Sequence, residues 1–485
     1  EGVIVKKIRT VETLGSATVI CTDKTGTITR NKMSLQSVYD FSTNQLFEKD
    51  NWNNPQAAKV IEMAMWASEP VPFDPMEKTL HQEYEATTNT DARRDFFMIH
   101  EYPLDGKPPM MTHVFQNKEG KRIIAAKGGP ESLLQVSNLN KEEKNTIQHT
   151  ITTLAAKGYR ILGVASSNFL GNDFPSNQQD LPFQFIGLVI FYDPPKPNID
   201  SVIKQFYEAG IQVKVITGDN SVTTKAIAQM AGIKNPNTAM EGEEIMKLDE
   251  SSRLQSIHNS TLMTRMFPEA KLAVVEALKK DNQVVAMMGD GVNDGPALKA
   301  SHIGIAMGKK GTEIAKAAAD LILVDDDLSK MIVAVAAGRR IYTNLKKAVQ
   351  YIVSIHIPII LTVSLPLFLG WIYPNIFTPV HVIFLELVMG PMCSIVYENE
   401  PAEKNSMKQK PRQLGSTFLS LKEMGISIIQ GLVITLGILF VYQLTIQNGG
   451  NENLTRTMVF TTLVFSNIIL SLVNRSFYYS VFYSL

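Results

Sequence analysis

Cysteine is scarce in this sequence, and its charges cancel. Cys21 and Cys393 are the two cysteines among 485 residues. They are too few for a disulfide framework, and they lack the close spacing of cysteine pairs that bind zinc. Lys and Arg together number 47, as do Asp and Glu, so the net charge is zero. A neutral chain lacks the basic character of nucleic-acid-binding proteins, and we expect no nucleic-acid partner.

Charge is almost absent from four long windows in the last third of the chain. These windows are 349–371, 376–397, 424–446 and 457–474, and Glu386 is the one acidic residue that they contain. Each is long enough to cross a hydrocarbon layer of about 30 Å as a helix. Four in succession argue against buried helices of a soluble protein. We therefore predict an integral membrane protein in which residues 346–485 form four transmembrane helices within a lipid bilayer.

Basic residues cluster on one side of these predicted helices. The short loop 373–375 carries no charge, whereas the loop between the second and third windows is rich in lysine. Its basic residues are Lys404, Lys408, Lys410, Arg412 and Lys422. By the positive-inside rule, this loop and the preceding soluble part lie in the cytoplasm, at a cell membrane.

A reactive carboxylate follows the first apolar run of the chain. Residues 17–21 predict a buried strand, and Asp23 follows that strand on a turn of small residues. A carboxylate placed there can attack a phosphoryl group while backbone N–H groups of the turn hold its oxygens. Thr25 stands where hydrolytic relatives of this arrangement have a second acid, and a hydroxyl cannot act as a general acid or base at neutral pH. We predict a long-lived aspartyl phosphate on Asp23; the alternative is an ordinary turn with an exposed aspartate.

The size and order of the predicted elements indicate several domains. From residue 183 onward, strands alternate with helices, which is typical of an α/β fold with a doubly wound parallel sheet. Residues 1–33 and 183–345 are predicted to form the two parts of this domain. The intervening residues 34–182 are numerous enough for an inserted α+β domain.

Polar motifs follow several of the predicted strands, at the edge where open α/β sheets bind ligands. Asp290 is a hard oxygen ligand suited to Mg²⁺, together with Asp23 and the Thr25 carbonyl. Lys271 lies on a predicted helix and offers a fixed positive charge for phosphoryl transfer. A lone lysine on a helix is usually solvated, but its place among these motifs favours a catalytic role. Further candidates to hold or orient the phosphoryl group are Thr217, Gly218, Asn293 and Asp294.

These motifs resemble, in order and spacing, the haloacid-dehalogenase-type core of the P-type cation-transporting ATPases, in their calcium-pump-like branch. The resemblance is carried by 21–27, 127–131, 193–195, 217–219 and 289–296. It implies Mg²⁺ and ATP as cofactors, a phosphorylation domain, and a nucleotide-binding domain at 34–182. It also implies ATP-driven transport of a cation. We expect the chain to be a fragment whose actuator domain and first four membrane helices would precede Glu1.

The resemblance also implies nucleotide contacts. Glu77 would meet the adenine, Lys127 would line its pocket, and Leu104 stands where this branch has a stacking Phe. An aliphatic contact is weaker than stacking, so we expect modest nucleotide affinity. The branch has a further lysine nearby, and Lys107 is the residue that could replace it. The residues implied on the phosphate side are Arg160, Asp219 and Arg265, the last beside Lys271.

Ionisable groups inside membrane spans are functional by default, and the candidates for an ion pathway here are His356 and Glu386. The calcium pumps resembled have three oxygen ligands in these spans that this sequence lacks. A calcium site of six to eight oxygens is therefore hard to assemble. A proton, or a metal bound by His356 and Glu386, fits as well, and a packing role for His356 is an equal alternative.

Two other functions compete with an ion pump. One is a membrane-tethered phosphatase of the same fold, against which Thr25 argues. The other is a nucleotide-sensing scaffold that no longer pumps, because the ion ligands and Leu104 depart from the pattern. The presence of Asp23, Lys271 and Asp290 argues against a loss of pump function.

Overall fold

The computed structural model describes residues 2–7, 9–88, 90–105, 109–171, 173–413, 415 and 417–476, so Lys107 lies outside the described residues. The strands are β1 (Val3–Val5), β2 (Val19–Thr22), β3 (Ser34–Asp40), β4 (Gln45–Glu48), β5 (Phe96–Asp105), β6 (Met110–Asn117), β7 (Arg122–Gly128), β8 (Arg160–Ser167), β9 (Phe183–Tyr192), β10 (Gln212–Ile216), β11 (Ala239–Glu241), β12 (Leu262–Thr264), β13 (Val285–Gly289), β14 (Ile303–Met307) and β15 (Leu321–Leu323). The helices are α1 (Arg9–Gly15), α2 (Pro55–Trp66), α3 (Pro75–Thr87), α4 (Pro130–Val136), α5 (Lys141–Ala155), α6 (Ile199–Glu208), α7 (Ser221–Met230), α8 (Gly242–Lys247), α9 (Glu250–Asn259), α10 (Pro268–Lys280), α11 (Gly295–Ala300), α12 (Glu313–Ala318), α13 (Ser329–Phe368), α14 (Pro379–Pro391), α15 (Leu421–Gln447) and α16 (Glu452–Val473).

The described residues form two sheets, one of which has eight strands in the order β1-β15-β14-β13-β2-β10-β12-β11. Its pairs are parallel except for β1 with β15. Strand β2 lies between β13 and β10, so the carboxyl ends of these three strands meet at one edge. The predicted doubly wound parallel sheet is confirmed. The antiparallel edge strand β1 is an addition that the sequence reading did not include.

Strand β2 is buried on both of its faces. Ile20 packs into the same apolar core as Phe206 of α6. Val19 and Cys21 point the other way, into the core that contains Val274 of α10. Burial on both faces explains why this strand is a continuous apolar run rather than an alternating one. Asp23 therefore extends from a strand that is fixed on every side.

The second sheet has seven antiparallel strands in the order β4-β3-β9-β8-β7-β6-β5, and the chain inserts it between β2 and β10. The predicted boundary between residues 182 and 183 assigned the strand now labelled β9 to the other domain. Instead, β9 pairs with β3 on one side and β8 on the other. An apolar strand has the same sequence pattern in either sheet, and its pairing partners decide where it belongs.

Two chain segments join the sheets, and Asp193 holds them together. The Thr29 hydroxyl donates to Asp193 Oδ2 at 2.5 Å, and the Lys32 N–H donates to Asp193 Oδ1 at 3.0 Å. Thr29 also forms an isolated antiparallel bridge with Pro195. Hydrogen bonds therefore join the segment that leaves the eight-stranded sheet after β2 to the segment that returns to it after β9, beside the turn that follows Asp23.

Four helices of the described residues are long and apolar enough to span a membrane. The first is α13, which begins at Ser329, so the predicted span 349–371 is the later part of a 40-residue helix. The second is α14 and the π-helical turn Met392–Tyr397 that follows it. Helices α15 and α16 are the third and fourth. Each predicted window thus coincides with a long apolar helix, with ends shifted by a few residues apart from the start of α13.

Helix α13 is attached to the eight-stranded sheet at its N-terminal part. Gly15 and Gly338 allow α1 and α13 to approach closely, because a Cβ on Gly15 would lie 2.7 Å from the backbone nitrogen of Arg339. The guanidinium of Arg339 donates to the carbonyls of Gly15 at 3.2 Å and Ala209 at 2.7 Å. These contacts fix the start of the first membrane helix to the sheet domain.

Candidate active site

The turn after β2 places Asp23 at the carboxyl edge of the eight-stranded sheet. The Thr25 N–H donates to Asp23 Oδ1 at 3.4 Å. Gly26 has a φ of +75°, a conformation that glycine adopts without strain. A Cβ at Gly26 would lie 3.3 Å from Asp290 Oδ2, so the small residue also admits the neighbouring carboxylate.

Lys271, on the first turn of α10, bridges two carboxylates. Its Nζ lies 3.3 Å from Asp23 Oδ2 and 2.6 Å from Asp294 Oδ1. Burial alone would lower the pKa of Lys271, but attraction from Asp23 and Asp294 outweighs it, and the net shift is upward. The ammonium group therefore stays charged at neutral pH, directly beside the carboxylate predicted to attack phosphate.

Asp294 organises the loop that follows β13. Its Oδ2 accepts from the N–H groups of Asp290 at 3.3 Å and Gly291 at 3.1 Å. Gly289 is required here, because a Cβ on it would lie 2.4 Å from the Asp294 Cβ. Asn293, also predicted to act here, is exposed on the same turn.

Three carboxylates converge at this edge. Asp23, Asp290 and Asp294 each offer an oxygen within 4.8 Å of the others. Burial, followed by repulsion from Asp23 and Asp294, raises the pKa of Asp290 to about 6. Burial also raises the pKa of Asp23, although Lys271 opposes the shift. Crowded carboxylates with raised pKa values gain from a bound cation, and an oxygen-rich set of this kind suits Mg²⁺.

The end of β10 supplies a second set of polar groups. The Asp219 N–H donates to Thr217 Oγ1 at 3.3 Å, and Gly218 lies between them. The Asp219 carboxylate forms an ion pair with buried Lys24 and lies 3.5 Å from a guanidinium nitrogen of Arg160. Burial would raise the pKa of Asp219, but the two cations lower it overall. Lys24 was not among the predicted site residues, although a lysine directly after the reactive aspartate was the available signal.

A cavity of about 820 Å³ lies between the two sheets. Four predicted nucleotide residues line it: Arg160, Gly218, Asp219 and Arg265. Its volume is within the range of pockets that hold small molecules of nucleotide size. The guanidinium of Arg265 pairs with Glu241, with Nε 3.4 Å from Oε1, and its predicted role beside Lys271 stays a prediction.

The residues predicted to contact adenine, Glu77, Leu104 and Lys127, are not part of the lining of that cavity. Lys127 Nζ is 2.5 Å from Glu77 Oε1 and 2.7 Å from Ser68 Oγ, and both members of the ion pair are buried. Burial lowers the pKa of Lys127, and Glu77 offsets part of the shift. Leu104 is exposed at the end of β5. A ligand must therefore extend beyond the cavity to contact all the predicted residues.

The two residues predicted for the ion pathway, His356 and Glu386, face each other. His356 Nε2 on α13 lies 3.7 Å from Glu386 Oε1 on α14. The other ring nitrogen, Nδ1, is 2.8 Å from the Ile352 carbonyl, which gives the ring a fixed orientation. An imidazole and a carboxylate thus meet between α13 and α14, and their role in an ion pathway stays a prediction.

Comparisons with known proteins identify the family to which the chain is similar. The family model for haloacid dehalogenase-like hydrolases matches residues 17–302, and that for the C-terminus of cation transporting ATPases matches residues 374–485. A calcium-transporting ATPase 1 of Bacillus cereus is 32% identical over 87% of this chain and 49% of its own length. One from Lactococcus lactis is 32% identical over 98% of this chain and 56% of its own length. The human calcium-transporting ATPase type 2C member 1 is 29% identical over 99% of this chain and 55% of its own length. The chain spans about half the length of the curated relatives it matches.

Proposed function

This chain belongs to the haloacid dehalogenase-like hydrolase family, in its P-type cation-transporting ATPase branch, and we propose that ATP phosphorylates Asp23 to drive cation transport. The observation that carries the proposal is the position of Lys271, whose Nζ lies 3.3 Å from Asp23 and 2.6 Å from Asp294. The nucleophile Asp23, the ammonium group of Lys271 and a cluster of carboxylates that can bind a metal ion lie at one edge of the sheet. These are the components that phosphoryl transfer requires.

In the proposed step, a carboxylate oxygen of Asp23 forms a bond to the γ-phosphorus of ATP. The bond from that phosphorus to the β–γ bridging oxygen breaks, and its electron pair leaves with ADP. Lys271 stabilises negative charge on the phosphoryl oxygens, while Thr217 and the Gly218 N–H hold them. Asp294 keeps the ammonium group of Lys271 in position through its 2.6 Å contact.

Asp23, Asp290 and the Thr25 carbonyl are the proposed ligands of Mg²⁺. When bound, this ion neutralises charge on the transferring phosphoryl group. The raised pKa of Asp290, about 6, fits a carboxylate whose environment favours a cation.

Thr25 favours a pump over a phosphatase of the same fold. Its hydroxyl cannot protonate a leaving group or activate water, so phosphate remains on Asp23 until another group promotes hydrolysis. In our proposal, that group belongs to a part of the full-length pump outside the half that this chain covers. The chain is thus proposed to be the C-terminal portion of a longer pump.

Helix α13 is the proposed route from phosphorylation to the ion. Met331 of this helix packs into the same core as Ile20 of β2. His356 lies 25 residues further along the same helix, about 37 Å away at 1.5 Å per residue. A displacement of the sheet domain would therefore act on the side chain that faces Glu386.

The transported cation is proposed to pass His356 and Glu386, with the catalytic domains on the cytoplasmic side. The relatives are named calcium-transporting ATPases, which makes Ca²⁺ the first ion to test. A nitrogen ligand is unusual for Ca²⁺ and suits a proton or a transition metal better. Ion-by-ion measurement of ATPase activity in the full-length protein separates these options.

Labelling with ATP carrying a radioactive γ-phosphate tests the phosphorylation step. We expect acid-stable label on the chain in the presence of Mg²⁺, and none on the Asp23→Asn variant. Asp50→Asn, at an exposed position of the inserted domain, is the matched control and should retain the label. Equal labelling of the Asp23→Asn variant would refute the assignment, and rapid hydrolysis of small phosphate esters would support the phosphatase instead.

A further inference from the structure

A second cluster of possible metal ligands lies in the inserted domain, on the seven-stranded sheet. Glu69, Glu101 and His113 each offer a ligand atom within 4.8 Å of the other two. Glu101 on β5 and His113 on β6 face each other directly across the antiparallel pair. Glu69 comes from the segment that follows α2. Three separate elements therefore bring these side chains to one point.

His113 has a free nitrogen directed into this cluster. The residue is fully buried, and its Nδ1 lies 3.1 Å from the Ser68 carbonyl. A carbonyl oxygen accepts only, so Nδ1 carries the proton and Nε2 has an unshared electron pair. Nε2 is buried and has no hydrogen-bond partner among the described residues. Its nearest carboxylate oxygen, Glu69 Oε1, is 4.0 Å away, which is too long for a hydrogen bond.

The hydrogen bonding of His113 is typical of a histidine that binds a metal ion. With the proton held on Nδ1 by the Ser68 carbonyl, the ring offers the unshared electron pair of Nε2, and this is the form of imidazole that binds metal. Histidine ligands are commonly held by a hydrogen bond from their other nitrogen to a backbone carbonyl or a carboxylate. Here the Ser68 carbonyl has that role. Leaving a buried nitrogen without a partner costs free energy, and a bound cation would remove that cost.

We propose that Glu69, Glu101 and His113 bind a divalent transition metal, with Zn²⁺ as the best match. One imidazole and two carboxylates form a ligand set that zinc accepts, and three protein ligands leave a fourth position open. Mg²⁺ and Ca²⁺ prefer oxygen ligands alone, so the histidine selects against both. Glu101 is exposed and Glu69 is partly exposed, which gives the ion a path from solvent.

This site is distinct from the Asp23 cluster. The Asp23 cluster consists of carboxylates at the edge of the other sheet, and His113 is the feature that separates the two. Ser68 links the new site to the predicted nucleotide residues, because its carbonyl faces His113 while its hydroxyl accepts from Lys127 at 2.7 Å. Metal binding does not depend on the ATPase proposal and is measured without turnover.

Titration of the chain with Co²⁺ as a spectroscopic substitute for Zn²⁺ tests the site, with excess Mg²⁺ present to occupy the Asp23 cluster. We expect one equivalent of Co²⁺ to bind at Glu69, Glu101 and His113 with visible absorption bands, and Zn²⁺ to displace it. Any Co²⁺ bound at His356 and Glu386 would remain in the Glu101→Gln variant. Loss of a residue that only supports a metal ligand costs about 10–100-fold in affinity. His113→Gln and Glu101→Gln each remove a ligand, so each should weaken binding by at least about 100-fold. His149→Gln, at an exposed histidine on α5, is the control and should bind as the wild type does.

Glu101 is exposed, so Glu101→Gln should fold normally even if His113→Gln does not. An unchanged melting temperature without metal verifies this. The proposal is overturned if the wild-type chain binds no Co²⁺ beyond the sites that Mg²⁺ blocks. It is equally overturned if a folded Glu101→Gln variant binds Co²⁺ with wild-type affinity.

Discussion

Replacing Lys271 with methionine should destabilise the eight-stranded sheet domain, because it removes the positive charge from among buried carboxylates. The side chains of Lys271 and Asp294 are 6% and 3% exposed, and that of Asp23 is 14% exposed. Methionine fills a similar volume, so the loss of charge dominates the effect. Asp23, Asp290 and Asp294 would then face one another without a compensating cation.

The magnitude follows from the cost of an unpaired buried charge. Breaking a buried ion pair from one side costs about 3–5 kcal/mol. For a domain of 150–250 residues, each kcal/mol lowers the melting temperature by about 2–4 °C. We therefore expect the melting temperature of Lys271→Met to lie about 6–20 °C below that of the wild type at neutral pH.

The loss should also depend on pH. Carboxyl pKa values of Asp23 and Asp290 are already raised in the folded chain, and losing Lys271 raises that of Asp23 further. A raised folded-state pKa means that the folded state binds more protons than the unfolded state, so stability falls as pH rises through that window. Lowering the pH from about 8 to about 5.5 should therefore recover part of the stability lost in Lys271→Met.

Differential scanning fluorimetry of the detergent-solubilised chain, without Mg²⁺, measures these melting temperatures. Lys280→Met, at the exposed end of the same helix, is the control and should melt as the wild type does. The double variant Lys271→Met/Asp294→Asn should regain part of the loss because it removes one uncompensated carboxylate. A Lys271→Met protein that melts within about 2 °C of the wild type near pH 8 would refute the electrostatic reasoning.

Three further predictions concern metal and nucleotide. Mg²⁺ affinity should fall as the pH drops below the Asp290 pKa of about 6, because protons compete with the ion for the carboxylates. Calorimetric titrations on either side of that pH test this, and an affinity that does not change with pH would contradict it. The single variant Lys127→Met should melt at a lower temperature than the double variant Lys127→Met/Glu77→Gln, because the single change leaves the Glu77 carboxylate buried and unpaired. A lower melting temperature for the double variant would contradict a buried ion pair. Leu104→Phe should tighten ATP binding by about 0.5–1.5 kcal/mol, or about 2–12-fold, because a phenyl ring can stack on adenine. An unchanged affinity for ATP would show that adenine does not contact residue 104.

The sequence by itself determined the fold class and the position of the four long apolar helices. Both follow from local patterns. Apolar strands alternating with helices indicate an α/β fold, and long windows without charge indicate helices that avoid water. The order of motifs also placed Asp23 and Asp290 on strand ends before any coordinates were considered. Parallel strands bring their carboxyl ends to a common edge, so sequence order was sufficient to predict that these residues meet.

The tertiary structure alone decided which groups are partners. Strand β9 has the same apolar pattern as its predicted neighbours, and its pairing with β3 and β8 assigns it to the inserted sheet. The ion pair of Lys24 with Asp219 joins residues almost 200 positions apart. Glu69, Glu101 and His113 lack any motif spacing, and strand register together with the chain direction after α2 brings them to one point. Such contacts depend on how elements pack against one another, which local periodicity does not encode.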